Sequence, residues 1–263
     1  MTRAVVVAAA LVLLAVLAGA LVRQWRRNES LQAQLEAAAA HLQHLQEACS
    51  RLAPAGVVQR LIADATTPGA ESVAERKVVT ALFADLVGYT DMSERLEPGV
   101  LARVLNGYFQ RMSDAIHEHR GHVATFVGDG ILAFFGALQP NPWQCDDAVR
   151  AALAMRAAMR EYNAELVREG LPTLAVGIGI HRGPGLAGLV GSRDRMEYAF
   201  VGRTVNLAAR VQALTRIHQV DILVTEALRA DLDKRFALAP MPPEPVKGIA
   251  DPVVTYAVGE APG

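Results

Sequence analysis

Residues 122–135 read HVATFVGDGILAFF, a sequence typical of a β-hairpin. Two runs rich in β-branched and aromatic residues, 122–127 and 131–135, flank Gly128-Asp129-Gly130. The glycines provide the backbone freedom that a tight turn between antiparallel strands requires. The sequence therefore predicts two antiparallel strands, with Asp129 in the turn that joins them.

A strand is predicted on the N-terminal side of this hairpin. In KVVTALFAD (77–85), apolar residues recur at alternate positions, and the run ends at Asp85, just before a turn at Gly88. Between this strand and the hairpin, Pro98 opens a segment with an apolar stripe at helical spacing.

Further elements follow the hairpin. A second amphipathic helix is predicted after Asp146-Asp147, and another helix over 204–215. In the strand predicted over 174–180, Gly177 and Gly179 leave one face bare, so that a helix or a ligand can approach it closely. The domain is therefore predicted to be α+β, a two-layer sandwich with helices covering one face of a mainly antiparallel sheet.

The composition excludes several classes of protein. The 263 residues are 52% hydrophobic and 20% charged, with a net charge of −1, so the basic excess of a nucleic-acid-binding protein is lacking. Cys49 and Cys145 are too few and too far apart for a disulfide framework or a cysteine-rich zinc site. The chain has no GxxxxGK[ST] motif of a P-loop enzyme.

The N-terminus contains an uninterrupted apolar run over residues 4–22, without a charge. At 1.5 Å per residue this run is just long enough to cross a bilayer core of about 30 Å. The arginines that follow it, beginning with Arg23, predict a signal-anchor helix with the rest of the chain in the cytosol. The alternative is a cleaved signal peptide, since Ala18-Gly19-Ala20 resembles a cleavage site.

A short coiled coil is predicted over residues 23–52, because apolar residues recur there in steps of four and three. These positions are Leu31, Leu35, Ala38, Leu42, Leu45, Cys49 and Leu52. A parallel dimer is the favoured interpretation, and a single helix packed on its own domain is the alternative. Residues 53–76, with Pro54 and Thr66-Thr67-Pro68-Gly69, are predicted to be a connector, and the catalytic domain is placed at 77–259.

Two pairs of polar residues could carry chemistry. If their strands are neighbours, Asp85 and Asp129 converge at one sheet edge, where two carboxylates and substrate phosphates could hold one or two Mg²⁺ ions. Asn206 and Arg210 are four residues apart on a predicted helix and share a face, so they could stabilise a phosphoryl group in its charged transition state. Strand-end aspartates and exposed helix pairs are also common without any such role.

Five stretches together resemble the class III nucleotidyl cyclase domain. They are VVTALFADLVGYT (78–90), TFVGDGILAFFG (125–136), VGIGIHRGPGLAGLVGS (176–192), RMEYAFVGRTVNLAARVQ (195–212) and VKGIADPVVTYAV (246–258). The resemblance covers residues 77–258 in the family's order, and it implies a ferredoxin-like catalytic domain. A membrane anchor and a coiled coil before such a domain are familiar in bacterial members.

The resemblance implies a role for each matching residue. Asp85, Asp129 and the backbone carbonyl of Leu86 match the ligands of two metal ions, Mg²⁺ or Mn²⁺. The triphosphate-binding positions are matched by Gly88, Tyr89, Thr90 and Lys247, and the transition-state pair by Asn206 and Arg210. In this family the ribose 3′-hydroxyl attacks the α-phosphate and expels pyrophosphate, and a head-to-tail homodimer shares two sites.

Two positions depart from the family pattern. Thr125 stands where a lysine usually reads the adenine ring, and Ala199 stands where its polar partner is usual. Because alanine offers no side-chain hydrogen bond to a base, three interpretations stay open. They are an adenylate cyclase with unusual base contacts, a cyclase for another base, such as the pyrimidine cyclases of antiphage defence, and a catalytically silent domain that binds a nucleotide.

Overall fold

The computed structural model describes residues 24–25, 32, 75–191 and 196–260. By its internal contacts the chain divides into two units, Met1–Val58 and Gln59–Gly263, and every strand and helix named below belongs to the second. The strands are β1 (Glu75–Val87), β2 (His122–Val127), β3 (Gly130–Phe135), β4 (Ala175–Gly191), β5 (Met196–Val201), β6 (Ile222–Thr225), β7 (Leu238–Pro240) and β8 (Thr255–Val258). The helices are α1 (Tyr89–Arg95), α2 (Pro98–Glu118), α3 (Gln144–Arg168), α4 (Arg203–His218) and α5 (Glu226–Arg229).

The sheet is centred on β1, which lies between β3 and β4 and is antiparallel to both. The strand order is β2-β3-β1-β4-β6-β8-β7, with β5 paired to the far end of β4. Of these pairs only β4 with β6 is parallel, which confirms a mainly antiparallel sheet. The first four strands, with α1 and α2 after β1 and α3 after β3, form a βαββαβ unit in the order β4-β1-β3-β2, as in a ferredoxin-like fold.

The prediction that helices cover one face of the sheet is wrong in one respect. Helices α2 and α3 pack on one face, against alternate residues of β1 such as Leu82 and Leu86. Helix α4 lies on the opposite face, over β4 and β1. It can do so because Gly177 and Gly179 have no side chains, and a Cβ on Gly179 would overlap the backbone nitrogen of Gln212 in α4. The bare glycine face was predicted, and a helix covers it.

The predicted hairpin and helices agree closely with the structure. The strand over 122–127 and its turn at Gly128-Asp129 are found as predicted, and Gly128 has a φ of +63°. In α2 the predicted stripe is buried at Tyr108, Met112 and Ile116. Strand β1 begins at Glu75, two residues before the start of the strand predicted over 77–85.

The predicted membrane span at 4–22 lies outside the described residues, as do most of the coiled coil and most of the connector. Within 24–25, 32, 75–191 and 196–260, no helix is long and apolar enough to cross a bilayer. The structure therefore leaves those N-terminal predictions untested.

Candidate active site

The structure brings Asp85 and Asp129 together at one edge of the sheet. Asp85 is near the end of β1, while Asp129 lies in the turn before β3, the strand that pairs with β1. The glycine after Asp129 leaves room for this approach, since a Cβ on Gly130 would lie 3.3 Å from Oδ1 of Asp85. The two carboxyl groups are close enough to share a hydrogen bond.

The proximity of the two carboxyl groups changes the acidity of Asp85. Its pKa is raised from 3.8 to about 6, first by burial and then by the charge and the hydrogen bond of Asp129, while the charge of Arg216 acts in the opposite direction. Two adjacent carboxylates repel each other when both are ionised, so one of them keeps its proton to a higher pH unless a cation neutralises the pair. The pair therefore has the electrostatics of a cation site.

Arg216, in the last turn of α4, makes a cationic contact with this site. One of its guanidinium nitrogens, Nη2, donates to Oδ2 of Asp85 at 3.2 Å and to the backbone oxygen of Leu86 at 3.1 Å. The side chain of Arg216 is 53% exposed and that of Asp85 is 26% exposed. No sequence pattern pointed to Arg216, because the face of α4 that meets the end of β1 depends on how the helix packs.

The oxygen donors at this edge suit a small divalent cation. Carboxylate and carbonyl oxygens are the ligands that Mg²⁺ and Mn²⁺ prefer, and Asp85, Asp129 and the carbonyl of Leu86 supply them. In the part of the chain that the structure describes, no group of three or more His, Cys, Asp or Glu side chains could hold a metal ion. Substrate phosphates and water would have to complete the coordination shell, which is the usual arrangement for Mg²⁺.

Binding of Mn²⁺ at this pair is expected to weaken as the pH falls through about 6. The pKa of Asp85 is raised above its ordinary value, so its protonated form persists to about pH 6, and that proton must leave before a metal binds. Below this pH, we expect the affinity to fall roughly tenfold per pH unit. Calorimetric titration with Mn²⁺ between about pH 5 and 8 measures this effect. An affinity that stays constant down to pH 5 would contradict the assignment.

Tyr108 lies in the core near the aspartate pair. Its hydroxyl is buried and has no hydrogen-bond partner among the described residues. The pKa of this hydroxyl is raised well above its usual range by burial, and the charges of Asp85 and Asp129 add to the shift. Tyr108 is therefore neutral at any physiological pH. The sequence predicted its burial and gave no sign of its nearness to the site.

The predicted triphosphate loop follows β1 directly. Gly88 has a φ of +74°, which lets the chain turn from β1 into α1. Tyr89 and Thr90 are the first residues of α1, so their backbone N–H groups have no partner within the helix. Such groups can bind a phosphate. Thr90 is exposed, and Tyr89 is packed against the core.

A second group of residues lies on α4 and in the loop before β8. Asn206 is exposed on α4, and Arg210 is half-buried. The guanidinium of Arg210 approaches the loop before β8 at Gly248, where an added Cβ would lie 3.4 Å from its Nη1. The preceding residue, Lys247, is exposed. The structure thus places Arg210 beside the segment that carries Lys247.

The aspartates and the group on α4 do not meet within one chain. Among the described residues, neither Asn206 nor Arg210 has a hydrogen bond or ion pair with Asp85 or Asp129. Arg216, which does reach Asp85, is six residues beyond Arg210 and therefore about 120° away around the helix. Arg216 and Arg210 accordingly lie on different faces of α4, and Asn206 is ten residues before Arg216 along the helix.

The two positions that depart from the family pattern lie on β2 and β5. Thr125 is exposed, and its hydroxyl donates to the backbone oxygen of Phe126 at 3.3 Å. Ala199 is half-buried and pairs with Gly188 of β4. Their neighbours Ala124 and Phe200 belong to one hydrophobic cluster, in which the ring centroid of Phe200 lies 5.2 Å from that of Phe134 on β3. Neither position offers a charged side chain to a ligand.

Comparison with known proteins assigns this architecture to a family. Residues 72–260 match the family model of the adenylate and guanylate cyclase catalytic domain. An adenylate cyclase of Anabaena cylindrica is 38% identical over 163 residues, which are 60% of this chain and 32% of that protein. Adenylate cyclase 1 of Rhizobium meliloti (strain 1021) is 29% identical over 183 residues, 70% of this chain and 28% of the relative. The chain therefore spans about a third of the length of these relatives.

Solved structures give the same result. The crystal structure of the guanylyl cyclase Cya2 has a TM-score of 0.68 and 34% identity, and the match covers 72% of this chain and 95% of that one. The crystal structure of the adenylyl cyclase CyaB from P. aeruginosa also has a TM-score of 0.68, with 29% identity and coverage of 72% and 97%.

Proposed function

This chain belongs to the adenylate and guanylate cyclase catalytic domain family, the class III nucleotidyl cyclases, and on that premise we propose that it converts a nucleoside triphosphate, ATP in the first place, to a 3′,5′-cyclic nucleotide and pyrophosphate. The observation that carries the proposal is the pair of carboxyl groups at Asp85 and Asp129, next to the carbonyl of Leu86. These oxygens are a donor set for divalent cations, and the cations would in turn bind the triphosphate.

The residues have distinct roles in this proposal. Asp85, Asp129 and the Leu86 carbonyl would hold the divalent ions, which would supply acidification of the ribose 3′-hydroxyl and neutralise the charge of the leaving pyrophosphate. The backbone N–H groups of Tyr89 and Thr90 bind the triphosphate after the turn at Gly88.

The remaining roles fall to residues outside the aspartate edge. Arg210 donates to the α-phosphate as negative charge develops there, and Asn206 orients the ribose. Lys247 binds the terminal phosphates. Within the described residues, Asn206 and Arg210 have no hydrogen bond or ion pair with the aspartates of their own chain, and Arg210 lies beside the loop of Lys247.

We therefore propose that the active site is shared between two copies of the chain. Each copy contributes Asp85 and Asp129 to one site and Asn206, Arg210 and Lys247 to the other. A two-fold dimer then contains two complete sites. The absence of a hydrogen bond or ion pair between the two groups, within the described residues, supports this arrangement. The coiled coil predicted over residues 23–52 would raise the effective concentration of the two domains.

The sequence also supports a location for the enzyme. We propose that residues 4–22 anchor the chain in the bacterial cell membrane and that the catalytic domain is cytosolic, where nucleoside triphosphates are found. Recovery of the full chain in the soluble fraction of lysed cells would count against the anchor.

A second candidate function is a cyclase for another base. It is favoured by Thr125 and Ala199, which offer no charged group at the positions where the family reads the base. Losing base contacts of this kind weakens discrimination between bases. A pyrimidine cyclase of antiphage defence is an enzyme of this kind, and a catalytically silent nucleotide-binding domain is the further alternative.

The deciding experiment offers ATP, GTP, CTP and UTP separately to the purified full chain with Mn²⁺ or Mg²⁺. Mass spectrometry identifies the cyclic products, and the Asp85→Asn chain is the control. Cyclic AMP as the main product supports the first candidate, and a cyclic pyrimidine nucleotide supports the second. A folded dimeric protein that forms no product from any of the four would contradict both.

A further inference from the structure

We propose that Arg216 is a resident counter-ion of the metal site, and that a divalent cation must displace its guanidinium in order to bind. The inference rests on the part of the proposed function that makes Asp85 and Leu86 metal ligands. The family resemblance assigns no role to Arg216. Competition between its guanidinium and the cation for Asp85 and Leu86 would set the metal affinity of the nucleotide-free protein.

The geometry of Arg216 carries the proposal. Its Nη2 lies 3.2 Å from Oδ2 of Asp85 and 3.1 Å from the carbonyl oxygen of Leu86. These are two of the three oxygen-bearing groups that would coordinate a metal ion. A guanidinium has donors and no acceptor, so it cannot serve as a ligand. While it donates to both oxygens, it occupies the space and the lone pairs that a cation requires.

The Arg216 side chain lies at the surface, so it can move away from the metal site. Its side chain is 53% exposed, and among the described residues its hydrogen bonds are those to Asp85 and Leu86. It lies in the last turn of α4, where a positive charge interacts favourably with the helix dipole. The side chain can therefore swing into solvent without disturbing a buried cluster.

The exposure also sets the size of the effect. A solvent-exposed ion pair contributes little, because water screens it and the side chain loses freedom. Replacing Arg216 by alanine is therefore expected to tighten Mn²⁺ binding about fivefold, which corresponds to about 1 kcal/mol.

The test is a titration of the full chain with Mn²⁺ in the absence of nucleotide, followed by calorimetry or by the electron paramagnetic resonance signal of free Mn²⁺. Arg103→Ala is the matched control. Arg103 is also a half-exposed arginine, 59% exposed and ion-paired, but its partner is Glu169 on the surface. We expect tighter binding in Arg216→Ala and an unchanged affinity in Arg103→Ala. Thermal unfolding of each variant verifies that it is folded.

An affinity in Arg216→Ala that is unchanged or weaker would overturn the proposal, since Arg216 would then be indifferent to the metal or would support its binding. An equal gain in Arg103→Ala would overturn it too, because the effect would reflect net charge alone. The Asp85→Asn chain separates this result from the proposed function. If that chain binds Mn²⁺ as tightly as the wild type, the metal assignment itself is wrong, whatever Arg216 does.

Discussion

Replacing Asp85 with asparagine is expected to reduce product formation at least about a thousandfold, with the fold unchanged. Asparagine has nearly the same shape but no negative charge, so the cation site loses half of its carboxylate charge. The same loss is expected for Asp129→Asn. Initial rates with saturating Mn²⁺ and nucleotide, measured by chromatographic separation of the cyclic product, test both variants.

The same substitution is expected to leave the protein at least as stable as before. The pKa of Asp85 is about 6 in the folded chain against 3.8 ordinarily. Its contribution to the free energy of unfolding is therefore fully present below about pH 3.8 and is lost as the pH rises through about 6. At neutral pH the ionised Asp85 carboxylate destabilises the folded chain, and asparagine, which carries no charge, avoids that destabilisation. Allowing for solvent screening of a partly exposed side chain, the gain is on the order of 1 kcal/mol and the melting temperature rises by roughly 2–4 °C.

The matched control is Asp114→Asn, which changes an exposed aspartate on α2 whose partner is Gln110. It removes the same charge and should retain full activity. If Asp85→Asn keeps substantial activity, the metal assignment fails. If Asp85→Asn unfolds the protein, the Asp85 side chain has a structural role that its raised pKa does not indicate.

Mixing Asp85→Asn chains with Arg210→Ala chains is expected to restore activity that neither has alone. In a mixed dimer, one site combines the intact aspartates of one chain with the intact Arg210 of the other, and the second site carries both defects. Random pairing makes half of the dimers mixed, with one of two sites intact. The mixture should therefore recover about a quarter of the wild-type activity.

A chain with both substitutions provides the control for this experiment. Its mixed dimers with wild-type chains contain one defect in each site, so they should contribute no activity. If each site were built within one chain, the pattern would reverse: the wild-type chain would stay active in that mixture, and the two single variants would fail to rescue each other. Mixed dimers isolated with two different affinity tags make the comparison direct.

Local sequence patterns predicted much of the fold. The GDG turn with flanking alternation determined the β2–β3 hairpin, and the apolar stripes determined α2 and α3, because hydrogen bonding and burial within such elements depend on near neighbours. The convergence of Asp85 and Asp129 could also be predicted, on the condition that their strands were neighbours. Helix α4 was predicted as a helix, but its place on the face opposite α2 and α3 was not. The glycines of β4 indicate that a helix can approach that strand closely, but they do not indicate on which face of the sheet it lies.

The sequence by itself therefore determined the strands, the helices, the pair of carboxylates and the resemblance to the cyclases. The tertiary structure decided the rest: that Arg216 reaches Asp85 and Leu86, that Tyr108 lies buried near the acid pair, and that Arg210 faces the loop of Lys247 and not the aspartates. These relations join residues far apart in the chain, Arg216 and Asp85 being separated by 131 positions. The positions of Arg216 and Arg210 follow from the rotation of α4 about its own axis, which its packing over β1 and β4 sets, and the position of Tyr108 follows from the packing of α2 on the other face. No local sequence pattern encodes either packing.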